Sequence, residues 1–85
     1  MNKPSKALKK IMAKAEIGNM MDFYGNDARY DMDFDGSVAC YVSVISNNLD
    51  NHFSKEEIRV IDKEEKCFRS LLRKAVKTEQ EEQYE

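Results

Sequence analysis

The sequence predicts a small α+β domain in which an N-terminal and a C-terminal helix cover one face of a three-stranded antiparallel meander, in the order αβββα. Three observations lead there. Apolar residues recur at helical spacing near the start, alternate with polar residues through the middle, and follow a capping box at Ser54.

Residues 5–17 read as the first helix. Ser5 is placed to accept from the backbone N–H groups of the first turn, and Leu8, Ile11, Met12 and Ala15 form one apolar stripe. Gly18-Asn19 supplies the stop that glycine gives at a helix C-terminus. Strands are expected at 20–24, 28–34 and 38–45. In the first, Met21 and Phe23 flank Asp22. In the second, Ala28, Tyr30, Met32 and Phe34 alternate with Arg29, Asp31 and Asp33, and in the third Val38, Cys40, Val42 and Val44 alternate. Gly25-Asn26-Asp27 is a turn-type cluster and Asp35-Gly36-Ser37 a hairpin signal. One sheet face would be apolar, and the other would carry Asp22, Asp31, Asp33, Tyr24, Tyr41 and Ser43 to water.

Ser54-Lys55-Glu56-Glu57 has the form of a capping box, with Phe53 and Ile58 placed as its hydrophobic staple. A helix should start there and run to about Thr78. Residues 1–78 are expected to be a single domain, and 79–85, with four glutamates and no base, a disordered acidic tail.

Eighty-five residues, 41% hydrophobic and 35% charged, allow one thin core beneath a very soluble surface. A homodimer or a bound partner would add burial that so small a monomer lacks. No apolar run approaches the ~18 residues that cross a bilayer. The start, Met1-Asn2-Lys3-Pro4, leads into lysine-rich sequence without the apolar stretch of a secretory signal, so a cytoplasmic protein with no membrane partner is expected. Cys40 and Cys67 belong to no CxxC pair and His52 is the one histidine, which excludes a zinc site of ordinary spacing and points to two reduced thiols and no cofactor.

The net charge of −2 conceals strong segregation. Residues 1–17 carry +4, residues 18–53 carry −5, residues 54–78 carry +3 and residues 79–85 carry −4. On a wheel of about 100° per residue, the apolar residues of 54–78 fill one half. Lys55, Arg59, Lys66, Arg69, Arg73 and Lys77 gather on the other, with Lys63 and Lys74 beside them. Solvated helix faces ordinarily mix signs, because opposite charges at i, i+4 support each other and like charges repel. A nearly single-signed stripe, with Asp62 the one acid inside it, therefore suits an anionic partner. Lys6, Lys9, Lys10 and Lys14, on the polar side of the first helix, would extend it if both helices lie on one sheet face. Such a surface fits a phosphate backbone, and single-stranded or shaped RNA more naturally than a duplex sequence.

The aspartates offer a second site. Asp22, Asp31 and Asp33, with Tyr24 and Tyr41, would form an acidic sheet face able to meet a basic protein. Asp31, Asp33, Asp35, Gly36 and Val38 also match the opening of an EF-hand loop, but Val42 stands where the bidentate glutamate is needed, so no metal is assigned. Catalysis has little support: His52 lies near Asp50 with no nucleophile placed by local sequence to use it, and no glycine-rich phosphate loop is present.

The lysine-rich start from Lys3 to Lys14, the αβββα outline and the tail Glu79-Gln80-Glu81-Glu82 resemble in style the small, charge-segregated accessory proteins that tailed bacteriophages make early to disarm host enzymes or defence systems. Some of those act as nucleic-acid mimics, and some bind a host nuclease or toxin, on occasion together with RNA. The resemblance implies a host protein as partner and carries over no individual residue. The leading expectation is thus a non-catalytic RNA- or polyanion-binding regulator, of the phage type that inhibits a host nuclease or toxin and acts with RNA. The alternative is an acidic protein–protein inhibitor, a nucleic-acid mimic that binds a basic enzyme surface.

Overall fold

The computed structural model describes residues 3–27 and 33–83 of the chain. Ser5 opens the first helix as expected, its hydroxyl accepting from the Leu8 N–H at 3.2 Å. The described residues then form α1 (Lys6–Lys14), α2 (Ile17–Asp27), α3 (Val38–Ser46), a 3-10 turn (Leu49–Asn51), α4 (Lys55–Lys63) and α5 (Glu65–Gln83), with no strand among them. The expected α+β meander is overturned: this is a helical bundle.

The reason lies in two segments that satisfy both periodicities. In α2 the buried residues are Ile17, Met20, Met21 and Tyr24, the i, i+3, i+4, i+7 stripe of a helix, and the Met21/Phe23 alternation is incidental to it. In α3, Val42 and Ile45 are buried and Val38 and Tyr41 pack against the core, again at helical spacing. Its β-branched residues favour strands by propensity, but packing overrides so weak a preference. Gly36 does adopt a positive φ of 75°, as a hairpin turn would require. Here it leads into a helix instead: Asp35 Oδ1 accepts from the Ser37 N–H at 2.9 Å, and Ser37 Oγ caps α3 by accepting from Cys40 N–H at 3.2 Å. Of the expected strand 28–34, Asp33 lies in a turn and Phe34 in irregular chain. Ala28, Arg29, Tyr30, Asp31 and Met32 lie outside the described residues.

The capping box is present, with Glu57 N–H donating to Ser54 Oγ at 3.2 Å and Ser54 N–H to Glu57 Oε1 at 2.8 Å. The helix it opens does not continue to Thr78 unbroken. It stops at Glu64 (φ −121°, ψ 40°), and α5 begins at the next residue. Nothing in Asp62-Lys63-Glu64-Glu65 announces a break, since neither glycine nor proline is there. The break coincides with a tertiary contact, in which the Glu64 carboxylate accepts from Ser5 at the head of α1.

Where an acidic tail was expected, α5 continues through Glu79 to Gln83. Two contacts hold that end: the Glu79 carboxylate lies over Gly18 of α2, and Gln80 Nε2 donates to the Gly36 carbonyl at 2.8 Å. The core runs along α5 through Phe68, Leu72 and Val76, at most 1% exposed, with α2 and α3 packed against it. Phe53 meets Phe68 edge to face at 6.1 Å. No disulfide joins Cys40 and Cys67, both half-buried.

Candidate nucleic-acid interface

Turning Phe68, Leu72 and Val76 inward leaves the opposite side of α5 to Lys66, Arg69, Arg73, Lys74 and Lys77, all exposed. These five cations line, with Ser70 and Leu71, one shallow depression of about 540 Å³. Among the described residues, Arg69 is paired with Glu65 at 3.2 Å, and no carboxylate pairs with Lys66, Arg73, Lys74 or Lys77. The Arg69–Glu65 pair is itself exposed, so it weakens the positive field there without abolishing it.

The break at Glu64 divides the rest of the expected stripe. Lys55, Arg59 and Lys63 form an exposed row on α4, at i, i+4, i+8 spacing. Of these, Lys63 reaches the head of α5, where it lines a second depression with Lys3 and Lys66. Lys55 and Arg59 line neither depression. Asp62, Glu64 and Glu65 share that second hollow, so its sign is mixed. The Glu64 carboxyl is held below the usual carboxylate range by the Ser5 hydroxyl and backbone N–H.

On α1, Leu8 and Ile11 face the core, and Lys6, Lys9, Lys10 and Lys14 are exposed. Lys6, Lys10 and Lys14 make one row spanning about 12 Å at 1.5 Å per residue. The chain just before that row approaches α5, where Pro4 and Lys66 line a common hollow. The row ends at Lys14, on the rim of a groove of about 640 Å³ that Phe23 and His52 also line.

Sequence reasoning missed that groove. Its signal was the 17/20/21/24 stripe of α2, which places Phe23 on the outer side; Phe23 is 57% exposed. Tyr24, expected on a wet sheet face, is buried, and its hydroxyl meets His52 Nε2 at 2.7 Å. Partial burial lowers the His52 pKa, which favours the neutral ring.

The acidic face does not form as drawn. Asp22 is exposed on α2, Asp33 sits in the turn before α3, Tyr41 is half-buried on α3 against Phe34, and Asp31 lies outside the described residues. No group of three or more potential metal ligands occurs among the described residues, and no described helix is long and apolar enough to cross a membrane.

No protein-family model, curated protein or solved structure matches the chain.

Proposed function

We propose that the protein is a non-catalytic binder of RNA or a similar polyanion, with α5 as its principal contact. The observation that carries this is the set of four cations without a carboxylate partner among the described residues, Lys66, Arg73, Lys74 and Lys77, around one depression with Arg69. Like charges so close repel one another, and phosphates set against them relieve that repulsion while releasing counterions. The α1 row extends the same charge, whereas Lys63, in the mixed-sign hollow, and Lys55 and Arg59 add only to the general field. The resemblance to bacteriophage accessory proteins, which loses its αβββα outline and keeps the lysine-rich start and the run Glu79-Gln80-Glu81-Glu82, extends the proposal to an inhibitor of a host nuclease or toxin that acts together with RNA in the cytoplasm.

The test is a filter-binding series of single-stranded RNA across salt concentrations. The expected result is an affinity that falls linearly on a log–log plot, with a slope reduced by about 0.7 for each phosphate contact that Arg73→Glu and Lys77→Glu remove. An affinity indifferent to salt and to both substitutions overturns the proposal.

A further inference from the structure

Phe23 is the large apolar side chain that the described fold leaves in solvent. Its ring is not loose. It meets the buried Tyr24 ring edge to face at 5.1 Å, Tyr24 meets His52 in the same way at 5.4 Å, and the Tyr24 hydroxyl is hydrogen-bonded to His52 Nε2. Two turns of chain thus hold a flat apolar surface at the edge of a groove. Asn19, Asn51 and His52 offer hydrogen-bonding groups in that groove, Glu16 adds an acceptor, and Lys14 stands at its rim.

We infer that this groove receives an unpaired nucleobase, stacked on Phe23, from an RNA strand whose phosphates follow Lys6, Lys10 and Lys14. The inference rests on the nucleic-acid reading above and deepens it. Glu16, whose carboxylate accepts from Asn19 Nδ2 at 2.8 Å, would repel a phosphate but can accept from a base's exocyclic amine. Adenine, cytosine and guanine carry such an amine and uracil does not. A second copy of the chain is a poorer occupant: a stable dimer buries about 800 Å² per partner around an apolar centre. Here one ring stands among Asn19, Asp22 and Asn26, all exposed and polar. Planar aromatic side chains beside a cationic track are how single-stranded nucleic acid is held without reading a duplex.

The experiment compares an oligoadenylate with an abasic backbone of the same length. Wild-type protein should bind the oligoadenylate on the order of tenfold more tightly, the worth of one base–aromatic stack. Phe23→Ala should erase that preference without changing the salt slope, and Phe23→Tyr should retain it. Equal binding of the two backbones by the wild type overturns the inference while leaving the polyanion proposal intact, and needs no variant to fold. Binding of neither backbone removes both. A wild-type dimer that Phe23→Ala converts to a monomer assigns the ring to a second copy and also overturns the inference.

Discussion

The Glu64 carboxylate accepts both hydrogens that Ser5 offers, the backbone N–H at 2.8 Å and the hydroxyl at 2.5 Å. Ser5 is the N-cap of α1 and Glu64 is the joint between α4 and α5, so this one contact ties the head of α1 to the α4–α5 joint. It also sets a negative charge at the positive end of the α1 dipole. Lys3 and Lys66 line a hollow at the same joint, so the contact lies next to the cationic surface of α5.

Because the Ser5 hydrogen bonds lower the Glu64 pKa in the folded protein, they stabilise the fold fully above the ordinary glutamate range. That contribution is lost as the pH falls through the depressed, folded-state value. Thermal melts from neutral pH into the acid range should show the gap between wild type and Glu64→Gln closing as the pH drops. A gap that stays constant would mean that the charge of Glu64 contributes nothing.

Asp35 behaves in the same sense at the start of α3. The Cys40 thiol donates to it at 2.9 Å, and with Ser37 this holds the carboxyl at about 2 against an ordinary 3.8. Its stabilising effect should be complete above 3.8 and fade as the pH falls toward 2. Hydrogen exchange in the first turn of α3 is the local readout. Asp35→Ala should raise it at neutral pH and leave little further change on acidification.

Gly25 tests whether α2 is a helix. Alanine within a helix is ordinarily worth about 0.5–1 kcal/mol over glycine. Here its Cβ would stand 2.9 Å from the Tyr41 hydroxyl, on a ring already packed edge to face with Phe34. Gly25→Ala should therefore destabilise the wild type. In a Tyr41→Phe background the nearest ring carbon is 4.0 Å away, and the same change should stabilise. Denaturant melts of the four proteins give the two signs. A substitution that destabilises equally in both backgrounds would count against the contact.

These particulars show what the sequence made legible. The caps at Ser5 and Ser54 depend only on neighbouring residues, and both were readable. The inward face of α5 was also readable, because Phe68, Leu72 and Val76 repeat over a long segment. The segments 20–24 and 38–45 are too short for period alone to choose between helix and strand, and their valines and the Asp35-Gly36 pair pulled toward a sheet. The break at Glu64 and the helical stretch around Gln80 coincide with contacts to distant partners, Ser5 and Gly36. For the same reason the cations of α5 were found and the groove at Phe23 was not. Finding the cations needs one helix, whereas the groove needs α2 to be helical and the 3-10 turn to bring His52 beside it.

Arg69 and Arg73 sit one helical turn apart on the same surface, yet they should not respond alike. Glu65 already occupies Arg69 at 3.2 Å, so part of that charge is spent within the protein, and Arg73 has no such partner among the described residues. An exposed pair of this kind contributes at most about 1 kcal/mol to stability. Glu65→Gln should therefore leave the melting temperature nearly unchanged while freeing Arg69 for phosphate. If α5 is the RNA contact, the variant binds single-stranded RNA more tightly at low salt and with a steeper salt dependence, by about 0.7 in slope for one added contact. Arg73→Gln should lower the affinity more than Arg69→Gln in the wild type, and the two should become equal once Glu65 is neutral. An affinity unmoved by Glu65→Gln would place the anion elsewhere than on α5.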